Sequence, residues 1–131
     1  MIAVDTNLLV RYAVRDDLEQ AARAASFLEN HDCLVLRTVV LETGWVFASG
    51  YGLPREQVVE RIHHALRLPR VFTEDVENVL IALRWYEQGM DLGDALHLSA
   101  AQVAAEAFAT FDKGIVKATK RIGIQFPVFS A

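Results

Sequence analysis

Short apolar runs alternate along this chain with longer stretches of helical periodicity, and that alternation constrains its fold more than any other feature. Ile2-Ala3-Val4, Leu34 to Leu36, Val71-Phe72, Ala107 to Phe111 and Phe126 to Phe129 read as short strands. Between the first two, Thr6 to Val14 sets Leu8, Leu9, Tyr12 and Ala13 on one helical face. Asp17 and Gln20 have capping-box spacing, and Ala21, Ala25 and Leu28 follow at helical intervals. A helix is expected from about Val39 to Ser49 with Thr38 as its N-cap. Gly50-Tyr51-Gly52-Leu53-Pro54 breaks it and starts the next helix, which carries Val59, Ile62 and Leu66. Thr73 is placed to cap a helix with Val76, Val79, Leu80 and Leu83, Asp91 to cap another reaching about Ala105, and Lys113 to Arg121 forms the last. Strands alternating with helices imply an α/β domain with a parallel sheet. A length of 131 residues suits one domain, residues 1–131, with one core.

Composition narrows the class. A hydrophobic content of 53% with 23% charged residues describes a folded globular chain and excludes a disordered one. The apolar runs are too short to cross a bilayer, and the first residues lack the basic and apolar regions of a secretory leader, so the cytoplasm is the expected location and no membrane is involved. Cys33 is the one cysteine, which excludes an intramolecular disulfide. A net charge of -4 argues against binding nucleic acid through overall charge, although it leaves room for a local basic patch.

The acids interrupt the apolar runs. Asp5 ends Ile2-Ala3-Val4, Glu42 follows Val39-Val40-Leu41, Asp94 lies within Asp91-Leu92-Gly93-Asp94-Ala95-Leu96, and Asp112 ends Ala107 to Phe111. In parallel sheets, ligands bind beyond the carboxyl ends of strands, so Asp5 and Asp112 are expected at one such edge. Two carboxylates about 5 Å apart repel by roughly 3 kcal/mol at an effective dielectric near 20. A converging set would therefore call for a cation, and carboxylates without His or Cys ligands favour magnesium or manganese over zinc. Each acid also has a plain reading. Asp5, Asp91 and Asp112 could cap the helices that follow them, Asp94 could be a first-turn acid favoured by the helix dipole, and Glu42 could be a surface residue.

Taken in order, Val4-Asp5-Thr6-Asn7, Val39-Val40-Leu41-Glu42-Thr43, Asp91-Leu92-Gly93-Asp94-Ala95-Leu96-His97 and Thr110-Phe111-Asp112 resemble the PIN-domain ribonucleases, in particular the VapC-like toxins of toxin–antitoxin pairs. The resemblance runs over nearly the whole chain. It implies a three-layer α/β/α fold with a short central parallel sheet flanked by helices. It implies that Asp5, Glu42, Asp94 and Asp112 are the catalytic, metal-binding acids, holding Mg2+ or Mn2+, with Asn7, Thr110 and Asp91 in support. It also implies metal-assisted hydrolysis of RNA phosphodiester bonds, a cognate antitoxin protein as partner, and a homodimer. Arg37, just before Thr38, and Pro54, at a helix start where Ser or Thr is usual, depart from the pattern without touching those acids.

For the RNA, Lys113, Lys117, Lys120 and Arg121 share one helix face directly after Asp112. Arg11, with Arg15 one turn on, is a further candidate for RNA, antitoxin or a sister subunit. His63-His64 reads as helix surface, His97 as structural or as an orienting neighbour of Asp94, and Trp45, Phe47 and Trp85 as core or dimer contacts. The helix around Trp45 and the Tyr51-Gly52-Leu53 segment form a candidate dimer or antitoxin surface. Two other readings compete. A non-catalytic PIN-like scaffold that binds RNA or protein would be expected to lose some of the acids. A phosphatase-like α/β hydrolase would want an Asp-x-Asp pair after the first strand, where this chain has Asp5-Thr6-Asn7.

Overall fold

The structure is a computed structural model describing residues 1–131. Its elements run β1 (Ile2–Ala3), α1 (Thr6–Val14), α2 (Leu18–Asn30), β2 (Cys33–Val35), α3 (Arg37–Trp45), α4 (Arg55–Leu66), β3 (Val71–Thr73), α5 (Val76–Glu87), α6 (Leu92–Ala104), β4 (Phe108–Thr110), α7 (Lys113–Ile122) and β5 (Val128–Ser130). Every strand pairing is parallel, as the alternation requires. The strands form two short sheets: β1-β2-β3 and β4-β5. The chain divides into two compact units, Met1–Val76 and Glu77–Ala131, each containing one sheet.

In the first unit β2 is the central strand. Ile2 pairs with Cys33 on one side, and Cys33 pairs with Val71 on the other. Cys33 and Val35 are fully buried, so β2 is apolar on the positions that face the helices. The helix α1 packs on α2 and α3. Its buried residues are Thr6, Leu9, Val10 and Tyr12, so the buried face is turned from the Leu8, Leu9, Tyr12, Ala13 stripe expected and takes in Thr6. Asp17 caps α2 as expected, its side chain accepting the Gln20 amide at 3.1 Å.

Two expected caps are corrected. The helix α3 begins at Arg37, ahead of Thr38, and its N-cap residue Leu36 offers no side-chain bond. The Glu74 carboxylate, just beyond β3, accepts the Arg37 amide at 2.9 Å instead. Asp75 pairs with the Arg37 guanidinium at 3.3 Å. Thr73 is the last residue of β3 rather than a cap for α5. Glu74 and Asp75 thus both serve the start of α3, and the hydrogen bond from the Arg37 amide holds the Glu74 carboxyl below its ordinary value.

At its other end α3 widens into a π-helical turn, Val46–Gly50, closed by the Tyr51 amide on the Val46 carbonyl at 3.1 Å. Phe47 continues the buried face of Val39 and Thr43 at 1% exposure, while Trp45, the last residue of α3, lies outside at 66%. Trp45 is therefore not a core residue, which removes one of the two roles expected for it. Pro54 does occupy the N-cap position of α4, where it needs no amide.

In the second unit α7 packs on β5, and Phe108 is in register with Val128. Val79, Ala82, Leu83, Ala95 and Leu98 are fully buried. Gly123 closes α7 in the left-handed region at φ 85°, which a side chain would resist.

Candidate active site

Asp5 stands directly beyond the carboxyl end of β1 and caps α1, its Oδ1 accepting the Thr6 amide at 2.8 Å. Asp112 stands beyond β4 and caps α7, its Oδ1 accepting the Gly114 amide at 2.7 Å. Each acid lies at the carboxyl edge of the sheet in its own unit. The capping readings of Asp5, Asp91 and Asp112 all hold: Asp91 caps α6, with its Oδ2 accepting the Asp94 amide at 3.0 Å. Capping does not exhaust a carboxylate, because its two oxygens offer about four acceptor sites.

In the first unit, Glu42 projects from α3 as an exposed side chain. Its Oε1 accepts a short hydrogen bond from the Thr6 hydroxyl. Thr6 is 3% exposed, and it bonds Asp5 through its amide and Glu42 through its hydroxyl. The sequence reading chose Asn7 for support and passed over Thr6. The structure leaves Asn7 exposed. The missed signal was the spacing of Thr6 with Leu9 and Val10, which puts a hydroxyl on the buried face of α1.

In the second unit, Asp94 is half-buried in the first turn of α6. Burial raises its carboxyl pKa above the ordinary value. The charges of Asp91 and Asp112 raise it further, while His97 works against the shift. Asp91, Asp94 and Asp112 thus interact electrostatically within one unit. Asp112 is held from both sides. Its amide donates to the Thr110 hydroxyl at 2.9 Å, and a Cβ added to Gly114 would lie 2.9 Å from its Oδ1. Gly114 is a second residue that sequence reasoning missed: the carboxylate occupies the space a side chain would take.

Within neither unit do three or more His, Cys, Asp or Glu side chains cluster closely enough to hold a metal ion. The donors present still suit a hard divalent cation, since they are carboxylates, and the crowding around Asp94 is the charge excess a cation would relieve. The histidines take other partners: His64 Nε2 is 2.9 Å from the Tyr12 hydroxyl, and His63 Nδ1 is 3.0 Å from Arg67. Arg11 pairs with Asp16 at 2.8 Å, and Asp16 also accepts the Tyr51 hydroxyl at 2.9 Å. Lys113, Lys117 and Lys120 are exposed on α7, while Arg121 lies against Gly89.

No helix is long and apolar enough to cross a membrane. No curated protein matches the chain. A family model, the PIN domain, matches residues 2–121, a stretch that runs through both units and includes Asp5, Glu42, Asp94 and Asp112. With nearly all of its length matched, the chain belongs to the PIN domain family, whose members are generally nucleases.

Proposed function

We propose that this protein is a metal-dependent endoribonuclease, the toxin of a toxin–antitoxin pair, and that residues 1–131 act as one catalytic domain. The observation that carries the reading is that Asp5, Glu42, Asp94 and Asp112 all stand within the stretch matched to the PIN domain. Thr6 steadies Glu42, and Thr110 and Gly114 steady Asp112.

Mg2+ or Mn2+ would be held by Asp5, Glu42, Asp94 and Asp112, and when bound it supplies positive charge where a phosphate and these carboxylates would otherwise repel. The chain's own residues do the placing. The Thr6 hydroxyl fixes the Glu42 carboxylate, and the Gly114 amide and Thr110 hydroxyl fix Asp112. Asp91 anchors the first turn of α6, from which Asp94 projects. Lys113 and Lys117, exposed on the helix that Asp112 caps, would attract the RNA backbone. Exposed Trp45 supports a homodimer or antitoxin contact on α3. Arg11, engaged by Asp16, is a weaker RNA candidate than the α7 lysines.

Calorimetric titration with Mn2+, alongside cleavage of a mixed RNA with Mg2+ or with chelator, tests the reading. Binding and cleavage by the wild type, both lost in Asp94→Asn of unchanged fold, are expected. Metal-independent RNA binding without cleavage would favour a non-catalytic scaffold instead.

A further inference from the structure

The second unit displays the most exposed large apolar side chain of the protein, Phe111 at 85%. Single exposed apolar residues are common and need no explanation. Phe111, however, has company. Phe129 is 61% exposed and stands in register with Ala109 of the neighbouring strand. Residues paired across strands point to the same face, and so do residues two apart along one strand. Ala109 and Phe129 therefore share one face of the β4-β5 pair, and Phe111 follows in the bend just past the end of β4, where it too is exposed. Burial agrees at the first two paired positions: Ala109 and Phe129 are exposed, while Phe108 and Val128 are half-buried.

Position and charge say what this face would meet. Phe111 is the tip of the turn in which the Thr110 hydroxyl accepts the Asp112 amide, so its ring emerges beside a proposed catalytic acid. Two residues on, α7 begins, with Lys113, Lys117 and Lys120 exposed. Aromatic faces beside a cationic stripe are what proteins use to hold single-stranded nucleic acid: the cations track the backbone and the rings stack on bases. A second copy of this chain is a poorer occupant, since a two-fold contact sets like patches together and would bring these lysines towards their own copies.

We infer that Phe111 and Phe129 form a stacking surface for unpaired bases of the RNA beside Asp112. The inference rests on the ribonuclease reading and deepens it by naming residues that grip the substrate. Affinity for a labelled single-stranded RNA is measured by fluorescence anisotropy in an Asp94→Asn background, where cleavage is blocked. Phe111→Ala and Phe129→Ala are each expected to weaken binding about 5- to 100-fold, with the salt dependence unchanged because the lysines remain. Phe111→Tyr, which keeps the ring, is expected to retain binding. Against an RNA of the same length with abasic sites, wild type and Phe111→Ala should bind alike. Unchanged RNA binding in both alanine variants, with wild-type RNA binding and cleavage intact, would overturn the stacking surface and leave the nuclease reading standing. A wild-type protein that neither binds nor cleaves RNA would remove both.

Discussion

Thr6→Val removes one hydroxyl from the buried face of α1 and little else. The side chain keeps its shape, and at 3% exposure its packing in the first unit is retained. What is lost is the hydrogen bond to the Glu42 carboxylate. Glu42 is exposed, so water can replace the lost donor, and the net cost to folding should be about 0.5–1.5 kcal/mol. For a chain of this length that lowers Tm by roughly 2–6 °C. The functional effect should be larger, because Glu42 would then be free to leave its position. Loss of the group that orients a metal ligand commonly weakens metal affinity about 10- to 100-fold. Calorimetry with Mn2+ and cleavage rates measured for Thr6→Val, Glu42→Ala and the double variant complete the test. If Thr6 acts through Glu42, the hydroxyl's effect on metal binding and cleavage disappears in the Glu42→Ala background. An unchanged metal affinity in Thr6→Val, or an equal loss in both backgrounds, would refute the reasoning.

Other perturbations probe separate parts of the fold. Asp94→Asn should stabilise the metal-free protein at neutral pH by a few tenths of a kcal/mol, the scale of a like-charge pair one turn apart. Folding raises the Asp94 pKa, so the carboxyl favours the fold below its unfolded value and that contribution is lost as pH rises through the folded one. Thermal melts of the two proteins should therefore converge as pH falls. Glu74→Ala should cost about 1 kcal/mol by uncapping α3. Here the pKa is lowered, so the stabilisation is present above the unfolded value and disappears as pH falls through the folded one, which urea midpoints across the acid range would show. Phe47→Ala should cost about 3–5 kcal/mol, because its ring is fully buried within the π-helical turn, and urea unfolding with an unchanged slope would confirm it.

Legibility in the sequence followed the range of the interaction. The helix from Thr6 to Val14 and the caps of α2 and α6 by Asp17 and Asp91 were readable, because each depends on residues a few positions apart. The start of α3 was not readable, since its cap arrives from Glu74, far along the chain. Nor was the π-helical turn that follows Trp45. Among the candidate site residues, Asp5 and Asp112 were suggested by their places after strands, and Glu42 and Asp94 by the resemblance of the ordered motifs to the PIN-domain ribonucleases. The residues that hold them were another matter: Thr6 acts across to another helix, and Gly114 matters through a space that a glycine in the sequence does not announce.

By itself, then, the amino-acid sequence determined the parallel α/β pattern, most helix starts, and an ordered set of acids whose resemblance to the PIN domain the family match supports. These follow from periodicity and local hydrogen bonding, which neighbours along the chain decide. Tertiary structure alone decided that the strands divide into two short sheets, that Thr6 is the partner of Glu42, and that Ala109 and Phe129 share one exposed face. Register between strands and contact between helices depend on residues distant in sequence, and only the folded chain brings those together.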